Sequence, residues 1–440
     1  MNARVLPAII AVAVSILAPA CGRRLRSVDA SGSGGTGAMG GSLGATDAAP
    51  PDGTAVPEDA AGTGGAGTAG TGGAGIAGTG AGMAGTGGAG MAGTGNVAGT
   101  GGAGGTGGAP TSNAEGPCDI YKDAGQPCVA AYSTVRRLLS TYTGPLYQIR
   151  SGSSDQNTGS GGETHDIGQT ADGFADAAAV DAACAGTICT VSLLYDQSGK
   201  GSHLSVAKKG ILAGGANAAM DDFESSATRE SLTVGGHKVY SLYMEPRQGY
   251  RLARRGDGIP YREEPGGIYL LADGTHAGSG CCFDFGDSPP TALTFNDTTA
   301  LFYGTWGDTG GAGAGPFFMA DFHVVISPGG SQPFTPVPPN LNNPSLAAKF
   351  ALGFLKTDSA ASAWALRMAD VATADALTTA YQGAMPKRNF NGGAVVLGVS
   401  ADNGNASFGT FYEGAIVAGF PADDTEAAVL RNIKAVGYQE

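Results

Sequence analysis

The feature that most constrains this chain is a change of composition at about Glu115. From there to Glu440, short runs rich in β-branched and aromatic residues recur, each closed by Gly, Pro, Asn or Asp. Ile188 to Tyr195, Gly267 to Leu271, Phe317 to Ile326, Ala394 to Val399 and Thr410 to Val417 are the clearest. Such runs read as strands, because stiff branched side chains pack well on a pleated surface and the punctuating residues turn the chain. Helical periods are few. Ser133 to Tyr142 and Ala175 to Cys184 are short candidates. Asp423 to Val436 is better, with Asp423 and Glu426 at capping-box spacing and Ala427, Val429, Leu430, Ile433 and Val436 at helical intervals. Many strands with almost no strand–helix alternation predict an antiparallel β-sandwich. The stretch 115–440 is long enough for one large core or two small ones.

Before that stretch, about Ser31 to Pro110 is almost wholly Gly, Ala and Thr, in runs such as Ala61-Gly62-Thr63-Gly64-Gly65-Ala66-Gly67. Gly does not recur at every third position and Pro is nearly absent, which excludes collagen. With no apolar period to bury, 22–114 is expected to be a disordered linker. A Gly-rich coil of roughly 80 residues has a root-mean-square span on the order of 50 Å, that of a stalk. A neutral low-complexity insertion is the other reading. Residues 1–21 read as an export signal: Arg4, the apolar run Val5 to Ala20, then Cys21. The run is too short for a membrane span. Leu17-Ala18-Pro19-Ala20-Cys21 loosely resembles a bacterial lipoprotein cleavage site, which makes Cys21 a candidate for lipidation. An ordinary signal peptide cut nearby is the competing reading. Either way the expected location is extracellular or cell-surface, with any membrane contact made through the lipid.

Seven cysteines are present, and setting Cys21 aside leaves six. An even number in an exported chain reads as disulfides, although sequence alone leaves the pairing open. Spacing suggests a local pattern: Cys118–Cys128, Cys184–Cys189 and Cys281–Cys282. The net charge is −13, and no Lys/Arg run exceeds the length of Arg23-Arg24. That argues against nucleic acid, whose binding needs a basic face. Acidity with sparse charge suits a secreted protein acting on neutral sugars. The histidines His165, His203, His237, His276 and His323 show no ligand spacing, so no metal is expected. The Gly-rich stretches do not open a helix as phosphate-binding loops do. No nucleotide or other cofactor is expected.

Five local sequences then occur in order. They are Gly116-Pro117-Cys118-Asp119-Ile120-Tyr121, Tyr195-Asp196-Gln197-Ser198-Gly199-Lys200-Gly201, Cys281-Cys282-Phe283-Asp284-Phe285-Gly286, Met319-Ala320-Asp321 and Gly409-Thr410-Phe411-Tyr412-Glu413-Gly414. Together they resemble the catalytic domain of the α-L-arabinofuranosidase B family, glycoside hydrolase family 54, over essentially all of 116 to 437. The resemblance implies a concanavalin-like, all-β, two-sheet sandwich for 115–440. It also implies a retaining hydrolase that removes terminal arabinofuranosyl groups from arabinan and arabinoxylan. An arabinose-containing polysaccharide or oligosaccharide is the implied partner, and the chain is expected to act as a monomer. The C-terminal arabinose-binding module that often follows in the family is not expected after Glu440.

Carried over position by position, Asp402 matches the family's general acid/base, the group that protonates the departing oxygen and later deprotonates water. Asp402-Asn403-Gly404 is equally turn chemistry. Adjacent Cys281 and Cys282 match a vicinal disulfide that floors the sugar site; bonds of each cysteine elsewhere are the other reading. Trp306 matches an aromatic that stacks on the sugar, and as one of two tryptophans it also suits a core. Asp321 matches a substrate-binding carboxylate. Alternation along Phe317 to Ile326 sets Phe317, Met319, Asp321 and His323 on one side of a strand.

His323 is the departure. The family carries its nucleophilic glutamate there and a sugar-binding asparagine next to it, where this chain has His323 and Val324. A neutral imidazole lacks the negative charge that stabilises an oxocarbenium-like transition state. Three outcomes stay open. One is an altered hydrolase, with Asp321 as nucleophile or His323 activating water opposite Asp402. The second is an inactive sugar-binding domain built on Cys281, Cys282, Trp306 and Asp321. The third is a metal or other site using His323 with Asp321, against which the lack of ligand spacing argues. Behind these stands a structural or adhesive surface protein.

Overall fold

Phe317-Phe318-Met319-Ala320-Asp321 shows how the sequence builds the molecule. In a computed structural model, which describes residues 115–210, 220–291, 297–305, 310–322, 325–328, 331–332, 335–336, 339–386 and 390–438, this run is a strand buried along its whole length. Alternate side chains nevertheless enter different clusters. Phe318 and Ala320 join the main core, and Phe317 and Met319 join a smaller one.

The main core lies between two antiparallel sheets. A seven-stranded sheet runs in the order Cys128–Ser133, Gly409–Ala418, Gly266–Ala277, Ala351–Asp358, Ala363–Asp370 and Thr378–Ala384, with Leu242–Met244 also paired to Gly409–Ala418. A ten-stranded sheet starts Ile326–Ser327, Phe317–Asp321, Thr299–Gly304, Asp284–Ser288 and Ala394–Leu397. It continues through Tyr250–Arg251, Leu204–Val206, Cys189–Leu194, Tyr147–Ser151 and Glu163–Ile167. Phe285 of the second sheet meets Phe411 of the first, ring centroids 5.6 Å apart. Two strand glycines permit this approach. A Cβ on Gly414 would stand 2.6 Å from the Phe285 ring, and one on Gly353 would stand 2.5 Å from Phe318. The two-sheet sandwich expected from the strand pattern is therefore the architecture. Among the described residues no helix is long and apolar enough to cross a membrane.

Three local expectations change. Residues 134–142 form no helix. Ser133 Oγ accepts the Val135 and Arg136 N–H groups at 3.0 and 3.1 Å, and Leu138 N–H donates to Gln197 Oε1 at 2.7 Å. A local Ser133 side chain and the distant Gln197 have taken donors a helix would use. Ala177–Ala183 is helical as expected, capped by Asp176, whose Oδ1 accepts the Ala179 N–H at 3.0 Å. The Asp423–Val436 helix buries Val429, Leu430, Ile433 and Val436, but Ala422 is its N-cap and no side chain caps it. Asp423 and Glu426 bind Lys356 instead, and Glu426 also binds Arg367. Finally, Phe317 to Ile326 is two strands rather than one. Asp321 pairs antiparallel with Ile326, and the Phe322 N–H donates to the Val325 carbonyl at 2.9 Å. The strand ends at Asp321, and the expected position of His323 beside it lies outside the described residues.

Candidate active site

Three adjacent strands carry the site. Asp284 stands opposite Phe302, and Phe302 opposite Met319; Gly286 stands opposite Ala300, and Ala300 opposite Asp321. Phe283, Phe285, Leu301, Tyr303, Phe318, Ala320 and Phe322 belong to the inter-sheet core. Since side chains alternate, Cys282, Asp284, Phe302, Met319 and Asp321 occupy the other face, where Cys282, Phe302, Phe317, Met319 and Ile326 form their own apolar cluster against Cys281. The Cys282 sulfur and one carboxyl oxygen each from Asp284 and Asp321 lie within 4.8 Å of one another.

These carboxyls are enclosed: Asp284 is 0% exposed and Asp321 3%. Burial pushes the Asp284 carboxyl far above the usual carboxylate range, and the adjacent Asp321 charge, a hydrogen bond with Asp321 and the Asp402 charge push the same way. The three donors make a poor metal site. The Cys282 sulfur is bonded to Cys281 and cannot serve as thiolate. Among the described residues, two carboxylates then remain, short of the four nitrogen and sulfur ligands a structural zinc site takes.

The structure bonds Cys118 to Cys128, Cys184 to Cys189 and Cys281 to Cys282. The vicinal bridge adjoins the loop that follows the Ala394–Leu397 strand. Ala406 N–H donates to the Cys281 carbonyl at 2.8 Å, and Gly398 N–H to the Asp284 carbonyl at 2.7 Å. This loop carries Asp402, half-buried at its bend. Its carboxylate Oδ1 accepts the Gly404 N–H at 2.8 Å and the Ser400 hydroxyl. Asn403 takes a left-handed φ of 65°, a conformation Asn tolerates. The segment is thus a turn, as its composition says, and the turn holds the Asp402 carboxylate.

Arg251 fastens the loop from behind. It donates to the carbonyls of Ser400 at 2.7 Å, Ala401 at 2.9 Å and Pro289 at 2.9 Å. Burial pulls its guanidinium down to about 10, against the charges of Asp402 and Asp222. Asp222 is itself fully buried and accepts from Asn405 Nδ2 at 2.9 Å. Burial pushes its carboxyl up to about 7, opposed by Asn405, Arg247 and Arg251.

A family model described as "Alpha-L-arabinofuranosidase B, catalytic" matches residues 117–439. The chain belongs to that family. The probable α-L-arabinofuranosidase B of Aspergillus flavus is 40% identical over 339 residues, covering 74% of this chain and 63% of that protein. The α-L-arabinofuranosidase of Hypocrea jecorina is 38% identical over 335 residues, with the same two coverages. Two solved structures are similar: a glycoside hydrolase family 54 α-L-arabinofuranosidase soaked with a cyclic sulfate inhibitor, and an arabinofuranosidase complexed with arabinofuranosyl-α-1,2-xylobiose. Each is 36% identical with a TM-score of 0.65, over 73% of this chain and 65% of that one. The chain spans 63% of the length of the two relatives named.

Within this arabinofuranosidase B domain, Cys281, Cys282 and Asp321 come together on one sheet face, with the Asp402 loop against Cys281. Trp306 and His323 lie outside the described residues, as does Val324. Asp284 was missed by sequence reasoning, although it lies in a quoted motif. An acidic residue two positions after Cys282 in a strand was the signal that could have found it. Arg251 and Asp222 sit in no motif, and nothing in the sequence marks them.

Proposed function

We propose that the chain binds a terminal arabinofuranosyl group on the Cys281–Cys282 floor, with Asp321 accepting a sugar hydroxyl and Asp402 as the acid/base. The observation that carries this reading is the arrangement of three carboxyls around the floor. Asp284 and Asp321 are enclosed beside the vicinal bridge, and the charge of the half-buried Asp402 bears on Asp284 from a loop tied to Cys281. A proton donor near solvent beside a fixed carboxylate is the division of labour that glycosidic cleavage requires. Asn403 adds support. Its buried carboxamide has no protein partner on either polar atom, and such groups call for a polar ligand. Trp306 would stack on the ring and His323 would stand at the nucleophile position. An arabinose-decorated plant polymer is the proposed substrate class.

A second reading, sugar binding without turnover, is favoured by His323 itself, since an imidazole offers no anionic nucleophile. Release of 4-nitrophenol from its α-L-arabinofuranoside separates the two. Turnover by the native chain that Asp402→Asn abolishes makes it a rebuilt hydrolase. A silent chain that binds arabinose and is revived by His323→Glu makes it a binding protein. No activity and no sugar binding in any of them would sink the functional proposal and leave the family fold.

A further inference from the structure

Asp284 and Asp321 sit on strands that are not neighbours, and their carboxyls reach one another across the Thr299–Gly304 strand between them. Neither oxygen of Asp284 takes a hydrogen from an amide, hydroxyl, ammonium or guanidinium group. The charges acting on it are those of Asp321 and Asp402, both acidic. One oxygen of each carboxyl lies within 4.8 Å of the other, and a hydrogen bond with Asp321 is among the causes that push the Asp284 carboxyl up. Two ionised carboxylates are acceptors only, so a bond between them needs a proton, and among the described residues no donor lends one to Asp284. An unpaired carboxylate in such an enclosure neutralises itself rather than bear the desolvation.

We propose that Asp284 is a positioning residue of the sugar site: it carries a proton at neutral pH and donates it to Asp321, holding that carboxylate ionised and in one orientation toward the sugar. The proton follows from the geometry of the pair, and its consequence for the sugar rests on the function proposed above. Wholly enclosed, Asp284 acts on a ligand only through Asp321. Among the described residues, the charged groups that act on it are Asp321 from the Phe317–Asp321 strand and Asp402 from the loop after Ala394–Leu397. Cys281 and Cys282 are bridged and do not titrate. The two carboxyls lose protons as a unit. Stripping the shared proton at alkaline pH sets two like charges within 4.8 Å and drives Asp321 from its place.

The test is calorimetric titration of the full chain with L-arabinose from about pH 5 to 10, with thermal unfolding on the same samples. Native protein, Asp284→Asn and Asp284→Ala are compared. Native affinity is expected to fall about tenfold on the alkaline side, the worth of one hydrogen bond to a charged group. Asp284→Asn, whose amide donates the same bond and cannot ionise, should keep a flat profile. Asp284→Ala should bind about tenfold more weakly at every pH. An alkaline fall that persists in the asparagine variant, or an alanine variant that binds like the native chain, overturns the proposal. If the native chain binds no arabinose, melting decides. A proton held by native Asp284 is lost at a cost as pH rises, so native melting must fall relative to Asp284→Asn. Parallel melting profiles overturn the inference. Diverging profiles without sugar binding uphold the proton and overturn the proposed function instead.

Discussion

Arg251 shows how much of the site depends on single residues outside any motif. Its guanidinium closes on three carbonyls and is the cation between Asp402 and Asp222. Arg251→Met strands those acceptors in a buried setting, and a loss on the order of 3 kcal/mol is expected in denaturant unfolding. Sugar affinity should fall further than in a variant equally destabilised elsewhere, because the Asp402 turn loses its anchor. Asp222 adds a pH dependence whose sign can be worked out. Its carboxyl sits at about 7 in the folded chain and near 4 when unfolded. Between those values the folded state holds the extra proton. The stability this provides is complete below about pH 4 and is lost as pH rises through about 7. Asp222→Asn removes the loss while keeping a polar partner for Asn405. Its melting temperature should gain on the native chain by several degrees between pH 4 and 8. Two profiles that run parallel would show that Asp222 does not titrate there.

Elements are docked by buried charge as well as by apolar faces. The Asp423–Val436 helix lays Val429, Leu430, Ile433 and Val436 on the core, while Glu426 reaches Lys356 at 3.3 Å and Arg367 at 2.9 Å. The Lys356 and Glu426 side chains are each 2% exposed. Removing one partner of such a pair leaves the other charge in the interior, so Glu426→Ala should cost about 3–5 kcal/mol in urea unfolding followed by circular dichroism. A loss under about 1 kcal/mol, typical of surface pairs, would contradict this docking. The same helix marks where sequence reading succeeds and fails. Its apolar period was legible because 3.6-residue spacing needs no knowledge of the partner. Its acidic spacing was read as a capping box because Lys356 and Arg367 are distant in sequence. Strands around Tyr195, Leu271, Val396 and Ile416 came through on local pattern. Residues 133–142 did not, since their donors answer to Gln197 and Gly173. Asp284 became readable only once the register of three strands fixed its face, and register is a long-range property.

At the scale of the whole molecule, the matched region 117–439 follows a stretch of wholly different composition, and we propose that the two do different work. Residues 1–21 would direct export, 22–114 would form a stalk, and 115–440 would be the sugar-handling domain. A diacylated Cys21 supplies two chains, enough for stable attachment, where a single chain would not be. Both halves of this proposal can be read in one preparation. Full chain made in a Gram-negative host should fractionate with membranes, and Cys21→Ala should move it to the soluble fraction. Elastase, which cuts beside small residues, should free from those membranes a fragment that starts close to Glu115. Backbone in the two sheets can be cut only after local opening, whereas a chain with no apolar surface to bury offers its bonds continuously. A Cys21→Ala protein that stays with the membrane would place the attachment elsewhere. A resistant fragment that starts well inside 117–438 would move the boundary into the sandwich, where the strand Cys128–Ser133, paired to Gly409–Ala418, argues that the sheet would lose an edge.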